Sequence, residues 1–145
     1  MTKIDEIIQT FQSVDEQVRL EVLLDYAKKL PELPPELAAK ADGDDEALVP
    51  ECMTPVWMWI LPDNGHVNIH IRVAEEAPTV KGILSVIVHG YDGATPEELA
   101  GVPQNLINEL GLSRLVRMNR AVGINAILGR IRRRANELTS QGSTA

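Results

Sequence analysis

Residues 56–73 set the framework on which the rest of the chain has to be arranged. Val56-Trp57-Met58-Trp59-Ile60-Leu61 is short, apolar and aromatic, the composition of a strand buried on both faces. Pro62-Asp63-Asn64-Gly65 then reads as a turn, because Asn-Gly tolerates the positive φ angles of a tight hairpin. Beyond it, Val67, Ile69, Ile71 and Val73 alternate with His66, Asn68, His70 and Arg72. Side chains alternate across a strand, so the pattern gives one dry face and one wet face. The two segments form an antiparallel hairpin.

The flanking sequence is helical. Ile4, Ile7, Ile8 and Phe11 recur at helical spacing, and Val18, Val22, Leu23, Ala27 and Leu30 make the stripe of a second helix. Ser13-Val14-Asp15-Glu16 has the form of a capping box for that helix, which Pro31, Pro34 and Pro35 end. Residues 36–47 read as a short helical turn and an exposed acidic loop through Asp42, Asp44, Asp45 and Glu46. Residues 79–89 are rich in strand formers, yet Val80, Ile83, Leu84, Ile87 and Tyr91 keep a helical period; the period predicts a helix, with a third strand as the alternative. Thr95-Pro96-Glu97-Glu98 starts another helix, with Thr95 as its cap. A short helix follows from about Pro103 to Leu110, with Gly111 placed to end it. The last begins near Asn119 and turns Ile124, Ile127, Leu128, Ile131, Ala135 and Leu138 inward. Residues 1–139 are expected to form a single domain, and residues 140–145 a disordered polar tail.

Charge is distributed unevenly. Residues 1–113 hold 7 basic and 20 acidic side chains, whereas residues 114–145 hold 7 arginines and one acid, Glu137. The acidic remainder would repel a phosphate backbone, and one phenylalanine with two tyrosines offers little stacking surface, so nucleic acid is not the expected partner. An arginine-rich helix docking on an acidic surface, its own or another protein's, fits better. The longest apolar run, Val56 to Leu61, is far too short to span a bilayer. The acidic N-terminal residues and the single cysteine point to the reducing cytoplasm.

The candidate sites reduce to one. His66 and His70 share a strand face but lie about 13 Å apart, too far to grip one ion directly, and His89 lies elsewhere. The acidic loop lacks the ligand pattern of a calcium site. No Gly-rich phosphate loop or serine-nucleophile motif is present. Cys52 remains. As the only cysteine it cannot close a disulfide within the chain, so it is inert packing, a partner for another molecule's sulfur, or a nucleophile. Pro50 and Pro55 stiffen its loop. A thiolate needs positive potential, which Arg114, Arg117 and Arg120 and the start of the last helix would supply; Glu51 opposes it.

Val49-x-x-Cys52-x-Thr54-x-Val56-Trp57 resembles the cysteine loop of the SufE family of sulfur-acceptor proteins. Further segments of the same family pattern follow in order: Leu30-Pro31-Glu32-Leu33-Pro34 upstream, then Glu76 to Gly82, Tyr91 to Leu99, Leu110-Gly111-Leu112 and Arg120-Ala121-Val122-Gly123-Ile124. The resemblance covers roughly residues 15–138. The chain departs from the family pattern in carrying Glu51 for glycine, Thr54 and Pro55 for serine and glutamine, Leu115 for histidine and Val122 for asparagine.

The resemblance implies an α+β fold, a small antiparallel sheet covered by helices and related to the IscU-type scaffolds. It implies a covalent sulfur carrier rather than an enzyme, with no cofactor or metal of its own. Cys52 would take persulfide sulfur from a pyridoxal-phosphate-dependent cysteine desulfurase, stimulate that enzyme, and pass the sulfur to an iron–sulfur cluster scaffold. Glu51, Thr54, Trp57, Lys81, Arg120 and Gly123 would support the thiol or the docking. A docking module of the same fold that transfers nothing is the alternative. A stand-alone thiol enzyme fits less well, since no histidine lies near Cys52 in sequence.

Overall fold

The computed structural model describes residues 2–73 and 77–143. Glu76, the first residue of one family-like segment, lies outside them. The elements in order are α1 (Lys3–Gln12), α2 (Glu16–Lys28), α3 (Pro35–Lys40) with a single 3₁₀ turn Ala41–Gly43, β1 (Val56–Asp63), β2 (His66–Val73), α4 (Pro78–Tyr91), α5 (Pro96–Ala100), α6 (Leu106–Glu109) and α7 (Met118–Ser143). The fold is α+β: among the described residues, one two-stranded antiparallel sheet with helices packed on it.

The hairpin pairs Val56 with Val73 through to Asp63 with His66. β1 thus runs two residues past Leu61, and only Asn64 (φ 52°) and Gly65 (φ 84°) make the turn. Both positive angles suit a two-residue hairpin loop. Val56, Met58 and Ile60 from β1, with Val67, Ile69, Ile71 and Val73 from β2, enter the main core. On the other face Trp59 is buried and Trp57 half-buried in a second small core with Leu37, Ala41, Ala47 and Leu33. β1 is therefore covered on both faces by different parts of the chain, as its composition suggests.

α4 is the central helix. α1 and α2 flank it and β2 packs against it, so Val80 and Ile83 through Val88 are all buried. Enclosure on nearly every side removes the need for a polar face. That is why its Val and Ile content looks like a strand while its period is helical. Each fully buried Leu or Ile here contributes about 1.5–3 kcal/mol relative to exposure.

Two sequence expectations change. The cap of α2 is Asp15, whose carboxylate accepts from the Val18 N–H (3.0 Å); Ser13 instead closes α1, its own N–H donating to Gln9 O (3.0 Å). α7 also continues to Ser143, four residues into the stretch that reads as a polar tail. Its arginines mostly grip backbone carbonyls rather than an acidic surface: Arg130 reaches Glu46 O and Leu48 O, Arg132 reaches Val102 O, and Arg134 reaches Ile60 O. Among the described residues no helix is long and apolar enough to cross a membrane.

Candidate functional site

Cys52 sits between the short bridge that pairs Leu48 with Trp57 and the first residue of β1. Val49 N–H donates to Val56 O (2.9 Å) and Cys52 N–H to Val49 O (3.3 Å), so the loop folds back tightly and turns the thiol toward α7. There Gly123 leaves room for it. A β-carbon at Gly123 would lie 2.9 Å from Cys52 Sγ and 3.0 Å from its Cα. Arg120, one turn earlier on α7, donates a hydrogen bond from Nη1 to Thr54 Oγ1 and so clasps the far side of the loop. The half-buried sulfur faces a crevice of about 10 Å³, barely the room of one water molecule. Val80 and Ile124 complete its walls.

Closure sets the electrostatics. Burial pushes the Cys52 thiol up to about 11, Glu51 pushes in the same direction, and Arg120 pulls it back in part. Arg120 does lie beside the loop, but the positive potential it supplies is the weakest of the three influences, because burial and Glu51 both hold the thiol neutral. Cys52 in this conformation is a protonated, shielded thiol.

Cys52, Thr54, Arg120 and Gly123 are brought together, and Glu51 stands exposed next to the sulfur in sequence. Lys81 and Trp57 are not part of the crevice. Lys81 follows Val80 on α4 without lining it, and Trp57 turns into the second core, with the Arg72 guanidinium 4.7 Å above its ring. Sequence reasoning missed the apolar surface around the site. Met53, Met118 and Val122 are 65%, 81% and 55% exposed and flank the cysteine loop and the start of α7. Met118 and Val122 stand one turn apart, off the buried stripe of Ile124, Ile127 and Ile131; an apolar pair out of phase with its own helix was the available signal. Among the described residues, no group of three or more His, Cys, Asp or Glu could hold a metal ion.

A family profile described as "SufE: Fe-S metabolism associated domain" matches residues 5–135. The chain belongs to the SufE family. An uncharacterised SufE-like protein of Mycobacterium tuberculosis H37Rv is 35% identical over 133 residues, 91% of this chain and 90% of the relative. The SufE-like protein 1 of Arabidopsis thaliana, chloroplastic/mitochondrial, is 26% identical over 97% of this chain but only 36% of its own length. The solution structure of a hypothetical protein from Thermus thermophilus superposes with a TM-score of 0.80 at 30% identity, covering 97% of this chain and 99% of that one. The α+β architecture is thus that of a SufE-like fold, and the family description ties the chain to iron–sulfur metabolism.

Proposed function

We propose that the protein is a sulfur carrier that accepts persulfide sulfur on Cys52 from a pyridoxal-phosphate-dependent cysteine desulfurase and delivers it to iron–sulfur cluster assembly, stimulating the desulfurase as it does so. The observation that carries this reading is a single thiol held in a loop against Arg120 and Gly123, with exposed Met53 in the same loop and exposed Met118 and Val122 on the first turns of α7. No second cysteine exists in the chain to resolve a persulfide into an intramolecular disulfide. In the transfer step the Cys52 thiolate attacks the terminal sulfur of the donor's cysteine persulfide. A new S–S bond forms on Cys52, the donor's S–S bond breaks, and the donor cysteine leaves as a thiolate, with no net oxidation. The shielded, protonated thiol has to emerge from the crevice first. Reaction is thereby confined to the docked complex.

The buried, protonated state of the thiol also favours a second reading, in which the chain docks on a desulfurase and alters its turnover without accepting sulfur. One experiment separates them. The protein is incubated with a cysteine desulfurase and cysteine, and its intact mass is measured. A gain of one or more sulfur atoms, absent from Cys52→Ser, supports the carrier. Full stimulation of desulfurase turnover by Cys52→Ser, with no mass gain in the unmodified chain, overturns it in favour of docking alone.

A further inference from the structure

The outer edge of β1 carries unpaired backbone groups beside a basic groove that lies further along α7 than the thiol. Val56 O and Met58 N are bonded to Val49 N (2.9 Å) and Ala47 O (2.9 Å), which fixes Val56, Met58 and, by alternation, Ile60 as the residues whose backbone N–H and C=O groups point away from β2. On the partner strand, Ile69 turns its N–H outward to Asp92 Oδ1 (2.8 Å), as expected for the residue paired with Ile60. The loop segment that borders β1 covers only the beginning of this edge. Ala47 returns its own N–H to Asp44 O (3.2 Å), so Met58 C=O lacks its ladder partner, and Ile60 N–H has none among the described residues. Arg134 Nε reaches Ile60 C=O from the side (3.2 Å). Pro62 has no N–H and ends the edge.

Facing this edge is a groove of about 580 Å³ walled by α7. Its charged side chains are Lys40, Arg130, Arg133 and Arg134 against Asp44, Glu46 and Glu137, a net positive site in a chain of net charge −7. Two of those carboxylates are already held, Asp44 by the Trp59 indole (2.9 Å) and Lys40 (3.8 Å), and Glu137 by Arg134 (3.2 Å). Arg133 stands exposed, with no hydrogen bond or ion pair among the described residues.

We propose that this groove is a strand-addition site for an extended, acidic segment of a partner protein. A donor and an acceptor spaced along a strand edge are matched by the regular spacing of another backbone, and added strands gain affinity from such main-chain bonds. The segment's backbone accepts from Ile60 N–H and donates to Met58 C=O, and a carboxylate takes the guanidinium of Arg133, the planar fork suited to it. The groove does not depend on the sulfur-carrier reading: ten residues of α7 separate Gly123 from Arg133, about 15 Å along the helix.

The test uses the isotope-labelled full chain. In the free protein, the Ile60 amide exchanges with solvent faster than the ladder amides of Trp59 and Leu61. An Ile60 amide as protected as theirs would mean that the edge is already paired and would overturn the proposal. A capped pentapeptide alternating valine and glutamate is then titrated in. Expected are saturable shifts of the Ile60 amide and the Trp59 indole N–H, with binding about tenfold weaker for Arg133→Glu and for the peptide with lysine in place of glutamate. Absence of an Ile60 shift, equal binding of both peptides, or shifts reproduced by inorganic sulfate alone would each sink it. Shifts of the Ile60 amide on concentrating the protein without peptide would point to self-association and equally overturn it.

Discussion

Gly123 and Cys52 are in such close contact that a β-carbon on the glycine would sit 2.9 Å from the sulfur. The approach exists because glycine interrupts an otherwise side-chain-covered turn of α7. Gly123→Ala is expected to push the cysteine loop off the helix. Alanine favours a helix interior by about 1 kcal/mol over glycine, which offsets part of the lost packing. The melting temperature should change little while iodoacetamide reacts with Cys52 faster at neutral pH. Unchanged alkylation would mean that the helix, not the loop, yields.

The thiol itself should titrate late. With its pKa raised from 9.0 to about 11, Cys52 holds about a hundredfold less thiolate at neutral pH than an ordinary cysteine. The raised value means that the neutral form is favoured, so alkylation should climb steadily with pH and level off only near 11. Glu51→Gln removes a charge that pushes the pKa up and should move the profile to lower pH; Arg120→Ala removes one that pulls it down and should move it higher, unless losing the Thr54 clasp opens the loop. Coincident profiles for all three proteins would dismiss charge as a factor.

The two tryptophans should differ in weight. Trp59 is 6% exposed and donates its indole N–H to Asp44, so Trp59→Ala should cost about 3–5 kcal/mol by chemical denaturation. Trp57 is half-buried under Arg72 and should cost roughly half as much. Equal losses would show that Trp57 is more enclosed than its position indicates.

Met118→Ser and Val122→Ser remove apolar surface that is mostly exposed at the start of α7, so folding stability should stay within about 0.5 kcal/mol. Stimulation of a cysteine desulfurase by the double variant should nevertheless fall, through weaker binding rather than through a lower maximal rate. Full stimulation at limiting concentrations would remove this patch from the docking surface.

Much of this was readable in order along the chain. The alternation of β2 and the Asn64-Gly65 turn determine the hairpin locally, and the period of α4 outweighed its strand-like composition because α1, α2 and β2 enclose it. Ser13 and Asp15 both suit the cap of α2 by composition, and only the phase of the first turn selects Asp15. At the site, Arg120 and Gly123 came from the separate family-like segment 120–124, and the structure brings that segment against the cysteine loop from far away in sequence. The thiol's burial was not legible, since it arises from the depth of a crevice built by three separate segments. Nor could the arginines of α7 be assigned: a charge count does not reveal that their partners are main-chain carbonyls.

The clasp between Arg120 and Thr54 has a consequence for timing. Swinging the loop outward separates Cys52 from the arginine that favours its thiolate, yet also lifts the larger burden of burial, so the net effect of departure is a more acidic sulfur. Reach and reactivity are therefore acquired in a single displacement. A thiol that gains thiolate only as it leaves its berth reacts slowly with small electrophiles while it waits, and it reaches its destination more nucleophilic than it was at rest.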